Sequence, residues 1–370
     1  MTTLSSSRRE VAEQVAVQSA VSSDLELRRE TGECLATFWR QATPGTTYVR
    51  CLLPARYLPA QVLGLESTDL DWDEETDQLL MPRQRGVAIW QFLGDHLRTR
   101  VAWGQQELGV RVLLEVDDNY LSPHPHIPGS QRAWFKTIEE AERPGNTGYS
   151  NEMHRMLVPT MDGVIVSTEH LRDRYLEYAD NVYFCPNTVD PADWEDLEPK
   201  DPNVLRIVYS GSRSHLRDVP EVKKALKWAS RQKGVEVWLQ GVNPSWGFHK
   251  QAPWSDTLSD YRRALGRFDV GLAPLIGGAW ANGKSDLKAL EYTMAGVVPF
   301  VAREEPYRPW FDKPDFIVES GESNWLEKVK WIVRNQDALP SMLEQARGYV
   351  LGERTAEANA HRWREAINGE

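Results

Sequence analysis

Two lysines and a glutamate in the last third of the chain have the types and spacing of a site for an anionic ligand. Lys284, Lys288 and Glu291 lie in a segment that predicts a helix of about ten residues, with Ser285 as its N-cap and Gly296 just after its last turn. Lys288 and Glu291 share one face of this helix, and Lys284 approaches the same side near the N-terminus, which attracts anions. The lysines could bind a diphosphate, and Glu291 could accept hydrogen bonds from vicinal hydroxyls such as those of a ribose. The alternative is a solvated Lys288/Glu291 pair at i, i+3.

Two glycine-containing segments follow predicted strands and could complete this site. The strand at 268–272 runs into a loop at 273–283 that contains Gly278 and Asn282. The strand at 205–209 is followed by a turn and a basic stretch, whose candidate ligand-binding residues are Gly211, Ser212, Arg213, His215 and Arg217. Because ligands of open α/β sheets bind at the carboxyl ends of the strands, we expect both segments at the site. The turn by itself is a weak signal, since it is neither GxGxxG nor a P-loop.

A pair of aspartates marks a second candidate site in the first half of the chain. Asp117 and Asp118 follow the predicted strand at 110–116, so their side chains would project from its carboxyl end. One of them could orient an acceptor hydroxyl or accept its proton. The alternatives are a divalent metal bound as in a metal-dependent transferase, or helix capping by Asp118 or Asn119. His124 and His126 are interpreted as loop residues, because no third ligand stands at metal spacing.

Predicted strands and helices alternate along the chain and would position these residues. The first half predicts helical residues 1 to about 42, a strand at 48–53, a solvated acidic segment at 66–77, a helix at 87–108 and strands at 110–116, 163–166 and 182–185. After a linker at 187–202, the second half predicts strands at 205–209, 235–239, 268–272 and 297–301, helices between them and a long helix at 342–367. This alternation predicts an α/β protein with two doubly wound parallel sheets.

The composition excludes several classes of protein. The chain has 370 residues, a length typical of two domains, and a net charge of −11, which argues against binding along a nucleic-acid backbone. Cys34, Cys51 and Cys185 form no CxxC pair, and neither a signal peptide nor a membrane span is predicted, so a cytoplasmic location is expected. No P-loop, Rossmann fingerprint or Ser-His-Asp order supports a kinase, a dehydrogenase or a hydrolase.

Residues 160–302 resemble the glycosyltransferase family 4 group, which has the GT-B fold. The resemblance lies in the order of four motifs: Asn187-Thr-Val-Asp190, Ser210-Gly-Ser212, Phe268-Asp-Val-Gly-Leu-Ala-Pro-Leu275 and Lys284-x3-Lys288-x2-Glu291-x4-Gly296-x2-Pro299. It implies two Rossmann-like domains facing each other across a cleft. The implied organisation is an N-terminal helical extension at 1–45, an acceptor domain at 46–188, a nucleotide-sugar domain at 189–345 and a C-terminal helix at 346–370 that packs back on the N-terminal domain.

The resemblance also implies roles for individual residues. Glu291 resembles the acid that binds the ribose, and Lys288, with Lys284 as a second candidate, resembles the base that neutralises the diphosphate. Gly211 and Ser212 resemble the phosphate-facing turn, where Arg213 and Arg217 compete for the role of the family's basic residue. The family often has a further glutamate eight positions before the ribose glutamate, and Gly283 occupies that position here. Sugar recognition must therefore differ, with backbone groups of Gly277-Gly278, Trp280 or Asn282 as candidates.

The expected function is a retaining transfer of a hexosyl or pentosyl group from a nucleoside diphosphate sugar to an acceptor hydroxyl. The acceptor is a protein, a lipid, a glycan or, less in keeping with the net charge, a DNA base. No obligatory cofactor and no divalent metal is implied. Two alternatives stay open: a non-catalytic nucleotide- or sugar-binding protein, because Gly283 replaces an acid, and a metal-dependent GT-A-like transferase that uses Asp117 and Asp118.

Overall fold

The described residues of the computed structural model form two units. They are residues 34–40, 44–64, 71–73, 78–80, 85–91, 96–122, 150–211, 215–252, 255 and 257–370. Described residues up to Asn187, together with 356–370, form the N-terminal unit, and those at 188–355 form the C-terminal unit. The predicted helical stretch lies outside the described residues over 1–33, as do His124, His126, Ser212 and Arg213.

The N-terminal unit is built on a six-stranded parallel sheet of order β2-β1-β5-β6-β7-β8. The strands of this unit are β1 (Ala36–Arg40), β2 (Ala60–Gly64), β3 (Asp71–Asp73), β4 (Gln78–Leu80), β5 (Val87–Gln91), β6 (Val112–Val116), β7 (Gly163–Val166) and β8 (Val182–Phe184). β3 and β4 form a separate antiparallel pair; β3 lies within the segment predicted as solvated and acidic at 66–77, and β4 follows directly after it. All residues of β6 and β7 are buried, as expected of parallel strands covered on both faces.

Helical segments connect these strands. They are α1 (Pro44–Thr47), a π-helical turn (Tyr48–Leu52), α2 (Leu53–Ala55), α3 (His96–Glu107), α4 (Asn151–Leu157), a 3-10 turn (Val158–Thr160) and α5 (Glu169–Tyr175). Two of the helices begin at capping side chains, because Ser150 accepts a hydrogen bond from the Met153 N–H and Thr168 accepts one from the Leu171 N–H.

Three secondary-structure predictions for this unit are wrong. The stretch predicted as helical up to residue 42 contains β1, the residues predicted as a strand at 48–53 are helical, and the helix predicted at 87–108 begins with β5. Each error falls on a short apolar run, which periodicity alone does not assign to a strand or a helix. Pairing decides the outcome: β1 and β5 are neighbours within the sheet, where Phe38, Trp39 and Trp90 are buried.

The C-terminal unit contains a second six-stranded parallel sheet, of order β11-β10-β9-β12-β13-β14. Its strands are β9 (Leu205–Ser210), β10 (Val235–Gln240), β11 (Lys250–Ala252), β12 (Val270–Ala273), β13 (Val298–Ala302) and β14 (Ile317–Val318). The strands predicted in the second half of the sequence therefore form where they were expected. Chain order runs outward from β9 through β10 to β11 on one side, and from β12 to β14 on the other. The carboxyl ends of β9 and β12 thus flank the point where the strand order reverses, the usual ligand position in such sheets.

The helices of the second half cover this sheet and continue to the end of the chain. They are 3-10 turns at Pro191–Trp194, Val219–Val222, Ala281–Gly283, Glu305–Trp310, Pro314–Phe316 and Gln336–Ala338, and the helices α6 (Lys223–Ala229), α7 (Leu258–Leu265), α8 (Leu287–Met294), α9 (Glu322–Arg334), α10 (Leu339–Glu353) and α11 (Ala356–Asn368). The predicted linker begins at the boundary between the units but packs on the C-terminal unit: Trp194 is buried, and Asp193 pairs with Arg262 at 3.3 Å.

The long helix predicted at 342–367 is two helices, α10 and α11, separated by Arg354 and Thr355. The interruption has a backbone cause, because the Val189 N–H donates to the Arg354 carbonyl at 3.0 Å. After the break, α11 belongs to the N-terminal unit, where the Trp363 ring lies 5.6 Å from that of Phe38 and Arg111 donates to the carbonyl of Ala366.

Candidate functional site

The helix α8 carries the predicted anion-binding residues and begins beside the strand-order reversal. It ends as predicted before Gly296, whose φ of +76° is the left-handed conformation that glycine adopts most easily. Its N-terminus differs from the prediction, because Asp286 rather than Ser285 precedes the first helical residue. The buried Asp286 carboxylate accepts two hydrogen bonds from the Arg354 guanidinium, at 2.6 and 2.7 Å, and one from the Trp310 indole. The first turn of α8 is thereby tied to the end of α10.

Lys288 places a buried ammonium group at the carboxyl end of β9. Among the described residues, Nζ has no hydrogen-bond partner; it lies 4.7 Å from the centre of the Tyr209 ring. A Cβ atom on Gly211 would lie 3.2 Å from this Nζ and 2.8 Å from the Tyr209 hydroxyl, so the glycine permits the close approach. Burial lowers the pKa of Lys288 to about 8, an effect that Asp218 and Glu291 oppose and Lys284 reinforces. The ammonium is therefore still largely protonated at pH 7 and available to an anion.

Glu291 follows Lys288 on the same face, one turn further along α8. Its Oε2 accepts a hydrogen bond from the Tyr261 hydroxyl at 2.9 Å, which fixes the carboxylate toward α7. Burial raises the pKa of Glu291, while the Tyr261 hydrogen bond and the charges of Arg262 and Lys288 oppose the rise. A carboxylate held in this way can accept hydrogen bonds from a pair of hydroxyl groups.

His215 and Asp218 form the other side of the Lys288 environment. His215 Nδ1 lies 2.8 Å from Asp218 Oδ2, and Asp218 Oδ1 accepts from the Ile276 N–H at 3.0 Å. The segment after β9 and the loop after β12 are therefore joined by one carboxylate. Asp218 is also the largest opposite charge acting on Lys288.

The loop after β12 supplies the glycine-rich part of the site. Residues 276–279 are exposed, and Gly278 has a φ of +146°. Asn282 closes the loop, since its N–H donates to the Gly278 carbonyl at 2.9 Å and its side-chain oxygen accepts from the Gly278 N–H at 3.5 Å. Lys284 follows, with Nζ 5.8 Å from the centre of the Trp280 ring. These contacts occupy the Gly278 N–H and carbonyl, and Asp218 occupies the Ile276 N–H, while residues 276–279 are exposed at the surface.

The candidates for binding a diphosphate differ in their burial and in the charges near them. Lys284 is half-buried and acts electrostatically on both Lys288 and His215. Arg217 is exposed and does not figure among the charges that act on Lys288. Ser212 and Arg213 lie outside the described residues. The site formed by described residues thus centres on Gly211, Lys284, Lys288 and Glu291, with Gly278 and Asn282 in the adjoining loop.

Asp117 and Asp118 lie at the carboxyl end of β6 in the N-terminal unit, as predicted from the sequence. Asp117 Oδ1 accepts from the Tyr120 hydroxyl at 2.9 Å, and its carbonyl accepts from Ser167 at 3.2 Å. Both aspartates are half-buried. Burial, followed by the charges of Asp117 and Asp118, raises the pKa of Tyr120, so this hydroxyl stays protonated and remains a donor.

Behind these aspartates lies a buried ion pair. Arg50 Nε lies 2.6 Å from Glu115 Oε1, and Arg50 Nη1 donates to the Cys185 carbonyl and to Asn187 Oδ1. Burial raises the pKa of Glu115 to about 7, although Arg50 opposes this rise. Arg50 thus joins the π-helical turn to β6 and to the residues that follow β8.

Several residues of these sites were missed in the sequence. Asp218 and Tyr261 hold His215, Ile276 and Glu291 in place, and His154 hydrogen-bonds the Tyr175 hydroxyl at 2.7 Å behind the aspartate segment. The i, i+3 spacing of His215 and Asp218 was a local signal for their pair. Tyr261 had no such signal, because it reaches Glu291 across 30 positions of sequence. In the described part of the chain, no group of three or more His, Cys, Asp or Glu side chains is arranged to hold a metal ion.

Comparison with known proteins adds solved structures of the same architecture. No protein-family model matches the chain, and no curated protein sequence matches it. TarM aligns with a TM-score of 0.51 and 11% identity, covering 76% of this chain and 55% of its own. OtsA, a trehalose-6-phosphate synthase, aligns with a TM-score of 0.60 and 11% identity, covering 91% of this chain and 99% of its own. HepE from Anabaena, solved with UDP and glucose, aligns with a TM-score of 0.58 and 11% identity, covering 91% of this chain and 100% of its own. The chain thus spans little more than half the length of TarM.

These similarities define the fold. The chain has the GT-B fold, with two Rossmann-like units that each contain a six-stranded parallel sheet. The fold is therefore not the GT-A fold that the metal-dependent alternative required. Within the described residues, no helix is both long and apolar enough to cross a membrane.

Proposed function

We propose that the protein is a glycosyltransferase that moves a hexosyl or pentosyl group from a nucleoside diphosphate sugar to an acceptor hydroxyl, with retention of the anomeric configuration. We assign donor binding to the C-terminal domain at 189–345 and acceptor binding to the N-terminal domain at 46–188. Of the C-terminal segment at 346–370, α11 packs back on the N-terminal domain. The acceptor is a protein, lipid or glycan. The fold is shared with HepE, whose structure contains UDP and glucose. A cytoplasmic location fits, because all three cysteines are thiols.

The observation that carries this proposal is the buried ammonium group of Lys288. Among the described residues its Nζ has no hydrogen-bond partner, and it lies against Gly211 at the strand-order reversal. A buried cation without a partner is costly, and a diphosphate would supply the missing acceptors. Lys284 adds a second positive charge nearby. The same groups would stabilise the negative charge that develops on the diphosphate as it leaves the sugar.

Glu291 and the aspartates divide the remaining roles in this proposal. Glu291, held by Tyr261, would accept hydrogen bonds from the ribose hydroxyls. Asp117 or Asp118 would orient the acceptor hydroxyl and accept its proton, since carboxylates at a strand end are placed for general-base work. Backbone groups of the exposed loop at 276–279, with Asn282, would contact the sugar where Gly283 replaces an acid. Catalysis would rest on positioning and on electrostatic stabilisation of the leaving group, without an obligatory cofactor or divalent metal.

The proposal is tested by measuring thermal stability with UDP, ADP, GDP and dTDP, in EDTA and in Mg²⁺. Binding to the folded state raises stability by about 2.7 kcal/mol at a hundredfold excess over Kd. We expect one diphosphate to stabilise the protein in EDTA, and Lys288→Ala to abolish the shift. Lys227→Ala, at an exposed position of α6, is the matched control. If no diphosphate raised the thermal stability, or if one did so only in Mg²⁺, the proposed donor site would be wrong.

Turnover distinguishes an enzyme from a non-catalytic binding protein, the alternative that stays open because Gly283 stands where the family often has a glutamate. The matching nucleotide sugar, incubated with the protein alone, should release free sugar slowly as water replaces the acceptor. Lys288→Ala should remove this release. Tight binding of the nucleotide sugar with no release, and no transfer to an acceptor panel, would favour the binding protein.

A further inference from the structure

His215 and Asp218 lie beside Lys288 and are not used in the function proposed above. The Asp218 carboxylate is 6% exposed and fixes the imidazole through Nδ1 at 2.8 Å. The His215 side chain is 18% exposed, and its Nε2 makes no hydrogen bond with any described residue. One nitrogen of the ring is thus anchored, while the other is left for a ligand.

The charged and polar groups around His215 come from four parts of the C-terminal unit. Lys288 on α8 and Lys284 just before it act as positive charges, and Asp218 on the same segment acts as a negative one. From β9, the Tyr209 hydroxyl donates to the His215 carbonyl at 3.5 Å. The loop after β12 contributes the Ile276 N–H, which is bound to Asp218. Burial and the nearby Lys288 lower the pKa of His215 to about 3, so the ring is neutral at pH 7.

We propose that His215 is a further ligand of the donor diphosphate and that it takes up a proton from solvent when the diphosphate binds. This inference rests on the proposed function, because it requires the diphosphate to lie against Lys288. Burial and, after it, the two ammonium groups keep the ring neutral; the bound anion would offset the ammonium groups, and Asp218 would still favour the charged form. The proton would add to Nε2, with Nδ1–H donating to Asp218, and no covalent bond to the ligand would form.

The arrangement gives a binding reaction with two proton-uptake windows. A group whose pKa rises on binding takes up protons between its free and bound pKa values, and affinity falls as the pH rises through that interval. For His215 the interval starts at about 3 and extends toward neutrality. For Lys288 it starts at about 8. Proton uptake near pH 6 therefore reports on His215 and not on Lys288.

The test is calorimetric titration of the full chain at about pH 6 with whichever of UDP, ADP, GDP and dTDP binds most tightly. Titrations in buffers of different ionisation enthalpy give the number of protons taken up. His215→Gln keeps an N–H donor for Asp218 but carries no titrating group. His361→Gln, at an exposed position of α11, is the matched control. Because the protein variants share the ligand, protons exchanged by the nucleotide itself cancel in the comparison.

We expect His215→Gln to bind about tenfold more weakly at pH 6 and to take up fewer protons than the wild type, by as much as one per site. At about pH 7.5 the two affinities should converge. His361→Gln should match the wild type throughout. Equal proton uptake and equal affinity in wild type and His215→Gln would overturn this role for His215 while leaving the proposed function standing. Failure of every diphosphate to bind the wild type would overturn both.

Discussion

A buried cation lies at the carboxyl end of each sheet, and the two cations differ in their hydrogen-bond partners. In the N-terminal unit, the Arg50 guanidinium is paired with Glu115 at 2.6 Å and also donates to the Cys185 carbonyl and to Asn187. In the C-terminal unit, the Lys288 ammonium has no hydrogen-bond partner among the described residues. The first cation is thus paired within its own unit, whereas the second has the environment that the proposed diphosphate site requires.

The difference separates a structural cation from a binding one. Removing one partner of a buried ion pair is strongly destabilising, because the remaining charge is left uncompensated. A cation that is already without a partner lowers the stability of the folded protein, and a bound anion recovers that free energy as affinity. The edge at Lys288 is thus suited to binding, while the edge at Arg50 holds the N-terminal unit together.

The largest expected effect is on stability in the N-terminal unit. Arg50→Met should lower the free energy of unfolding by about 3–5 kcal/mol, since it removes the buried partner of Glu115 and the hydrogen bond to the Cys185 carbonyl. Lys288→Met should leave stability unchanged or raise it by about 1 kcal/mol, because it removes a buried charge that has no hydrogen-bond partner among the described residues. Urea unfolding of both variants measures the two changes. A similar loss in both would show that Lys288 is structural and would remove the contrast.

The next largest effect is expected on the rate of sugar transfer, from the two aspartates that follow Glu115 at the end of β6. Asp117→Asn and Asp118→Asn should leave diphosphate affinity nearly unchanged, because the donor is assigned to the other unit. At least one of them should lower the transfer rate by about 10²-fold, the scale of a lost proton-transfer group. Transfer kinetics and calorimetry on each variant separate the two quantities. Loss of donor affinity in both would move these carboxylates into the donor site.

The two units also differ in how much of their structure could be predicted from the sequence. In the C-terminal unit, apolar runs predicted four of the six strands, and helical spacing predicted Lys288 and Glu291 on one face. The edge strands β11 and β14, of three and two residues, were not predicted, because they are too short to show a pattern. In the N-terminal unit, β1 and β5 were missed, because five-residue apolar runs suit either a strand or a helix. Arg50 could not be found, since its partners Glu115 and Cys185 stand 65 and 135 positions away. The sites remain proposals, whereas the α/β fold with two parallel sheets is confirmed.

A smaller effect distinguishes the ribose and diphosphate roles within the donor site. Glu291→Gln should weaken both a nucleoside monophosphate and the diphosphate by about tenfold to a hundredfold, the scale of a charge-assisted hydrogen bond worth about 1.5–3 kcal/mol. Lys288→Ala should weaken the diphosphate more than the monophosphate and reduce the salt dependence of binding. Titration with nucleoside, monophosphate and diphosphate measures each step. If Lys288 and Glu291 are only a solvated i, i+3 pair, neither substitution should change any of these affinities.

A fourth prediction concerns pH and Lys288. Its pKa in the folded protein is about 8, below the ordinary value of 10.5, so from about pH 8 upward the unfolded chain holds more protons. Loss of the Lys288 proton should therefore increase the free energy of unfolding as the pH rises. It should also weaken diphosphate binding, with affinity falling by up to about tenfold per pH unit. Lys288→Arg stays charged over this range and should lose both trends. An affinity of the wild type that stays constant from pH 7 to about pH 9.5 would contradict this account.

The smallest effect separates two positive side chains near Lys288. Lys284 is half-buried and acts on both Lys288 and His215, whereas Arg217 is exposed. An exposed charge is screened by water and salt, so Arg217→Ala should change diphosphate affinity by less than about twofold. Lys284→Ala should weaken it by about two- to fivefold, a loss of roughly 0.5–1 kcal/mol. Lys284→Arg keeps the charge and should recover most of the affinity.

Raising the salt concentration from about 50 to about 300 mM should narrow the difference in diphosphate affinity between Lys284→Ala and wild type, because screening weakens long-range attraction first. If Arg217→Ala lost more affinity than Lys284→Ala, the diphosphate would lie toward the segment after β9 rather than over the N-terminus of α8.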